Sequence, residues 1–251
     1  MSAGLRARAV GGIPEVRAGD DLAALIAEAA AVDVIDGAVI AVAHKVVSKA
    51  EGAVVSLTEV APGARARELA AQAAKDARAV QVVLDEAAEV LRAERGVIIC
   101  RTRHGFVCAN AGVDTSNVSE PDTVVVLPRD PDASARALRA RVRELTGARV
   151  AVLITDSFGR TWRHGQVDVA IGLAGMRALD DWRGRADSAG MQLNATWLAV
   201  ADAASACAEL AREKDSREPV VIVEGLERYV TAEDGPGAAE LLRPPNEDLF
   251  A

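Results

Sequence analysis

Aromatic side chains make up 3% of this 251-residue sequence: three Trp, three Phe and one Tyr. So small a supply excludes a core built on ring packing and leaves Ala, Val and Leu to fill the space between helices and strands. Cysteine is nearly absent too. Cys100, Cys108 and Cys207 form no CxxC and no Cys/His spacing of a zinc site, which excludes a disulfide framework and suits a reducing compartment. No stretch approaches the ~20 apolar residues of a membrane-spanning helix. The opening MSAGLRARAV lacks the continuous apolar run of a signal peptide, so a cytoplasmic protein is expected. Long basic runs are missing, and a net charge of −8 argues against a general nucleic-acid binder, whose surface carries a basic footprint. Neither a Gly-Lys-Ser/Thr phosphate loop after a strand nor a dinucleotide GxGxxG occurs, which removes the two common nucleotide signatures.

What remains is half hydrophobic, enough for a packed body, and its patterns alternate between helix and strand. Asp20-Asp21 caps an amphipathic helix starting at Leu22. A strand is predicted over 38–43 after the turn signal Asp36-Gly37, with others over 97–100, 123–127 and 220–223. The strongest strand signal covers 149–155, apolar on both faces. Helical periodicity runs over 65–93, from 132 to just before Gly147, and over 199–214. The C-terminal tail, rich in Gly and Pro, reads as irregular. Composition shifts nowhere, so the chain is expected to be one unit, residues 1–251, of α/β or α+β class, the pattern leaving that choice open.

Four polar clusters interrupt this frame. Ala43-His-Lys-Val-Val-Ser-Lys-Ala-Glu-Gly52 follows a buried strand; its lysines and serine suit phosphate oxygens, and they equally suit a solvated turn. Asn110-Ala-Gly-Val-Asp-Thr-Ser-Asn117 gathers oxygen-bearing side chains beside Gly112, as a hard divalent cation requires and as ordinary turns also do. Ile154-Thr-Asp-Ser-Phe-Gly-Arg-Thr-Trp-Arg163 puts Asp156 and Ser157 at the end of the strongest strand, where ligands of open α/β sheets collect. With Asp114 it suggests a metal held beside phosphate, the alternative being a capped strand–loop junction. Gly165-Gln-Val-Asp-Val-Ala-Ile-Gly-Leu-Ala-Gly175 reads as a glycine-rich loop. His44, His104 and His164 fall beside these clusters without the partner spacing of a hydrolase triad.

Taken in order, these clusters resemble the coenzyme F420:L-glutamate ligase family. The matching stretches are Gly12-Ile-Pro-Glu15, Gly19-Asp-Asp-Leu22, Lys45-Val-Val-Ser-Lys-Ala-Glu-Gly52, Asn110-Ala-Gly-Val-Asp114, Ser116-Asn117 and Ile154-Thr-Asp156 with Gly159-Arg160. They continue through Gly165-Gln, Ala170-Ile-Gly172, Gly175 and Trp182-Arg-Gly184 to Ala199-Val-Ala-Asp202. The resemblance implies a GTP-dependent ligation of L-glutamate to F420-0, forming a γ-glutamyl amide. It also implies two divalent ions (Mg²⁺ or Mn²⁺), a stimulating monovalent cation such as K⁺, and an intertwined homodimer of a two-lobed fold. By the same resemblance Ile13, Pro14, Glu15 and Val16 line the guanine-nucleotide site, and His44, Lys49 and Asn117 contact GTP. Asp114 and Asp156 hold one divalent metal; Ser157 and Glu213 belong to a second. The sequence departs from the family at Ala203, where relatives often carry Glu, and over 212–218, which lacks the glycines of the family's nucleotide loop. That loop leaves another reading, a ligase acting on another phosphorylated acid; a third, a GTP- and metal-binding relative without catalysis, is opposed by the presence of Lys49, Asp114 and Asp156.

Overall fold

The computed structural model describes residues 4–30, 34–116 and 121–247. The described chain opens with β1 (Arg6–Ala9), α1 (Leu22–Ala29), β2 (Val39–Ala43), α2 (His44–Ala50) and β3 (Val54–Ser56). It continues through α3 (Ala64–Ala73), α4 (Ala77–Glu86), β4 (Ala87–Glu94), β5 (Val97–Thr102), β6 (Val107–Ala109) and β7 (Thr123–Val125). Then come α5 (Pro131–Thr146), the long hairpin of β8 (Ala151–Arg160) and β9 (Arg163–Ala174), β10 (Leu179–Asp181), β11 (Trp197–Ala199), α6 (Val200–Leu210) and β12 (Val220–Glu224). The architecture is mixed α/β. Among the described residues no helix is long and apolar enough to cross a membrane.

A five-stranded sheet in the order β1-β12-β2-β8-β9 forms the centre. Its inner strands are apolar on both faces because both faces are covered. In β2, Ile40 and Val42 join the side that packs on α1 and α5, whereas Val39 and Ala41 join the side that packs on α6. The same two-residue alternation splits Val152 and Ile154 from Ala151 and Leu153 in β8, and Val220 and Ile222 from Val221 and Val223 in β12. A second core lies between α3, α4 and the sheet β4-β5-β6, and a smaller one surrounds β3 and β7.

The helix capped by Asp21, whose carboxylate accepts from the Ala24 amide, forms as expected. So does α5, with Asp130 as its cap, Pro131 in its first turn and a left-handed Gly147 as its stop. Three expectations are corrected. The helical reading of 65–93 holds only to Glu86: Ala87–Glu94 is made of helix formers, yet it pairs with β5 as a strand with two irregularities in its register. Tertiary pairing overrides local propensity there. The polar stretch after β2 is a helix, α2, and not a turn. The glycine-rich stretch 165–175 is not a loop, because nearly all of it belongs to β9.

Cys100 and Cys108 face each other across β5 and β6, both buried and both free. Burial pushes the Cys108 thiol from its ordinary 9.0 up to about 12. The thiolate is the reactive form, and three pKa units lower its population about a thousand-fold. Iodoacetamide at pH 8 should therefore leave Cys108 unmodified in the native protein and alkylate it after denaturation, as read by peptide mass spectrometry.

Candidate active site

Strand direction assembles the site. β1 and β2 are both antiparallel to β12, and β2 is parallel to β8, so the carboxyl ends of β1, β2 and β8 share one edge of the sheet. Crevices at such edges are where open α/β sheets bind ligands. The register pairs Ala43 with Thr155, so the next residues, His44 and Asp156, are neighbours. On the other flank, the Ala43 amide donates to the Pro219 carbonyl (2.8 Å), which brings in the loop ahead of β12. The Val10 amide donates to the Val220 carbonyl (2.9 Å), leading the segment after β1 to the same rim.

The result is a cleft of about 700 Å³. Ile13, Pro14, Glu15 and Val16 line it from the segment after β1, His44 and Lys49 from α2, Asp156 and Ser157 from β8, and Glu213 from the loop 212–219. Asp114 is not on the wall itself; Lys45, which is, reaches it with Nζ 2.8 Å from Oδ2. Asn117 lies outside the described residues. One expectation about placement is corrected: Asp156 and Ser157 are not at a strand terminus, since β8 runs on to Arg160 and pairs with β9.

Lys49, Asp114 and His44 are each placed by identifiable neighbours. Lys49 Nζ donates to Glu15 Oε1 at 2.6 Å, tying α2 to the segment after β1. Asp114 follows the left-handed residues Asn110, Ala111 and Gly112. At Gly112 a Cβ would come within 2.6 Å of Leu127, so the turn that delivers Asp114 needs glycine for its space as well as its φ of +73°. Burial raises the Asp114 carboxyl, but Lys45 and the Ser116 amide outweigh it and hold it below its ordinary range. His44 is 2% exposed, and its Nε2 stands 3.3 Å from Asp156 Oδ1. That is close enough for attraction, yet the buried nitrogen has no partner in hydrogen-bond alignment.

Two residues outside the sequence-based expectation, Asp168 and Arg212, form the floor. Asp168 sits on β9, 2% exposed, and pairs with the Arg212 guanidinium. Its Oδ1 accepts from Ser157 Oγ at 2.6 Å, and its backbone amide donates to Glu209 of α6 at 2.9 Å. Arg212 also donates to Thr155 Oγ1 (3.0 Å) and to the Pro219 carbonyl (2.9 Å). Burial pushes the Asp168 carboxyl up, while Ser157 and Arg212 more than reverse that and keep it ionised. The signal in the sequence is Val167-Asp168-Val169-Ala170-Ile171, a strand alternation with a carboxylate on its buried face.

Lys45, Lys49, Arg212, Lys214 and Arg217 all face this cleft in a protein of net charge −8, a local concentration of cations suited to a polyanion. The acidic donors test what else fits. Asp114, Asp156 and Ser157 offer oxygen only, as hard divalent ions require. No group of three or more His, Cys, Asp or Glu side chains forms a cage among the described residues. A site with one or two carboxylates and the remaining positions left to water and phosphate is how Mg²⁺ is commonly bound. The donor set therefore fits a metal–phosphate complex better than a bare ion.

Comparison with known proteins agrees in extent and order. Residues 12–225 match the family model described as F420-0:Gamma-glutamyl ligase. A coenzyme F420:L-glutamate ligase of Methanopyrus kandleri is 48% identical over 238 residues, covering 94% of this chain and 93% of that protein. The protein of the same name in Methanothermobacter thermautotrophicus is 42% identical over 245 residues, 96% of each chain. One from Archaeoglobus fulgidus is 43% identical over 242 residues, 96% of this chain and 94% of its own length.

Proposed function

The chain belongs to the F420-0:gamma-glutamyl ligase family, and from that premise we propose that it joins L-glutamate to coenzyme F420-0 at the expense of GTP. The observation that carries this reading is the cleft where the cations of α2 and of the loop 212–219 surround Asp156 and Ser157. A carboxylate does not accept an amine at neutral pH without activation. In the proposed sequence an oxygen of the acceptor's terminal carboxylate attacks the γ-phosphorus of GTP, and GDP leaves. The amine of glutamate then attacks the acyl phosphate, an amide forms, and inorganic phosphate departs as the amine gives up a proton.

The protein's part is positioning and electrostatics. The segment 13–16 supplies an apolar wall and Glu15 for the nucleotide base, with His44 beside it. Lys49, braced by Glu15, meets phosphate oxygens as a point charge. Asp114 and Asp156 would hold one divalent ion, and Ser157 with Glu213 a second. Bound Mg²⁺ or Mn²⁺ screens charge on the triphosphate, and a monovalent cation such as K⁺ adds to that. The same reading makes the working form a homodimer of two-lobed subunits in a reducing cytoplasm.

The test is a mass-resolved ligation assay with F420-0, L-glutamate, GTP and either Mg²⁺ or Mn²⁺. The expected result is a product heavier than F420-0 by one glutamyl unit or more, with GDP released in step and all product lost on chelation by EDTA. No product with either metal overturns the reading. GTP cleaved only in the presence of a different phosphorylated acid would reassign the acceptor.

A further inference from the structure

Asp168 does more than neutralise Arg212. Its buried carboxylate fixes the direction of the hydrogen bond at Ser157. An ionised carboxylate only accepts, so the Ser157 hydroxyl must spend its one proton on Asp168 Oδ1, 2.6 Å away. Both lone pairs of Ser157 Oγ are then turned outward. One of them takes Lys214 Nζ at 2.8 Å, on a side chain 67% exposed at the cleft wall. Through Arg212 the same carboxylate holds the loop 212–219, because that guanidinium reaches the Pro219 carbonyl as well.

We propose that Asp168 is a positioning residue that makes Ser157 a cation ligand, with Lys214 standing at the ligand position and giving way to a divalent ion that arrives with phosphate. The inference rests on the metal–phosphate reading above. The geometry supports it in two ways. The Asp168 carboxylate accepts from Ser157, Arg212 and Thr155 and its backbone is tied to Glu209 of α6, so the carboxylate is committed to these donors and does not serve as a ligand itself. Lys214, by contrast, has a long exposed stem and a second acceptor, Glu209 Oε1 at 2.6 Å, to which it can retreat.

Asp168→Asn provides the test, because it keeps the shape and reverses the polarity at Ser157. The amide oxygen continues to accept from Arg212, which turns the amide nitrogen toward Ser157. That nitrogen donates to Ser157 Oγ, takes one of its two lone pairs and turns the hydroxyl proton outward, toward the ion. Mn²⁺ binding to the purified protein with inorganic phosphate present, read against a protein-free sample, is followed by loss of the free-ion electron paramagnetic resonance signal, with thermal unfolding by circular dichroism in parallel. Asp168→Asn is expected to weaken Mn²⁺ binding about 10- to 100-fold, the range for partners that orient metal ligands. Ser157→Ala should weaken it to a similar degree, and the double variant should lie within about twofold of Ser157→Ala, since the two residues act as one. If Asp168→Asn alone fails to fold, combining it with Arg212→Gln restores a neutral pair, whose side-chain amide can still donate to the amide oxygen, and the pair is read against Arg212→Gln alone. Unchanged Mn²⁺ affinity in Asp168→Asn, or a multiplied loss in the double variant, overturns the proposal. A wild-type protein that binds no Mn²⁺ overturns it together with the metal reading. The readout is ion binding, so loss of this role for Asp168 is distinguishable from a failed ligation assay.

Discussion

Asp156→Ala is expected to lower kcat for glutamyl transfer by about 10²- to 10³-fold while the protein stays folded. Position is the first reason. The parallel register of β2 and β8 fixes Asp156 beside His44, in the cleft and between the cations of α2 and those of the loop 212–219. In the proposed reaction, phosphoryl transfer to a carboxylate brings two anions together, so Asp156, which would hold the screening ion, is expected to act mainly on the transition state. Losing one such preorganised interaction costs about 3–4 kcal/mol, and each ~1.4 kcal/mol is tenfold in rate. The structural cost is smaller. The Ser157 amide loses its acceptor (2.8 Å) and the buried His44 Nε2 loses its nearest carboxylate, together about 1–3 kcal/mol. Steady-state kinetics across a Mg²⁺ titration, with a melting curve, separates the two effects. Turnover within tenfold of wild type at limiting Mg²⁺ would remove Asp156 from the metal site. Asp156→Asn should fall nearly as far in kcat with less loss of stability, because it keeps the acceptor for the Ser157 amide.

How far the sequence discloses this arrangement depends on the distance over which each feature is decided. The strands β2, β8 and β12 and the helices α1 and α5 are legible because their signals are local: unbroken apolar runs, an aspartate cap, a terminal glycine. Helix α2 escapes because its seven residues have no side-chain cap and directly follow a strand. At that length its stability comes from docking and not from propensity. Ala87–Glu94 escapes because its partner strand, not its composition, decides its state. Ile13–Val16, His44, Lys49, Asp156, Ser157 and Glu213 are each visible as residues, and the structure brings them into one cleft. Their order along the chain carries the family resemblance, but their convergence is a property of strand direction. Asp168 and Arg212 lie 44 residues apart and become partners only when α6 packs against β9 and carries the residues after it to Asp168. No local pattern announces that pairing.

The glycines of β9 are the most misleading feature of the sequence, and Gly172 shows why. It lies opposite Ile154, and the next pair along is Thr155 with Ala170, so one extra residue is accommodated in β9 at this point. That irregularity sets which residues of β9 face Thr155, Asp156 and Ser157, including Asp168 opposite Ser157. Gly172 is there for closeness, not flexibility. A Cβ on it would lie 2.4 Å from the Pro131 carbonyl oxygen at the start of α5, and backbone at that distance cannot step aside as a side-chain tip can. Gly172→Ala must therefore separate α5 from β9 or shift the strand, an overpacking cost of about 3 kcal/mol. For a chain of this size that corresponds to a fall of about 6–12 °C in Tm. Activity should fall as well, through misregister of Asp168 against Ser157. Gly159→Ala, where a Cβ meets nothing within 4 Å, is the matched control in the same hairpin and should change Tm by less than about 2 °C. A Gly172→Ala protein that melts with wild type would show that α5 is free to move off the sheet. The register would then have to be held elsewhere, by the α6 carboxylates Asp202 and Glu209 that accept from the amides of Ala170 and Asp168.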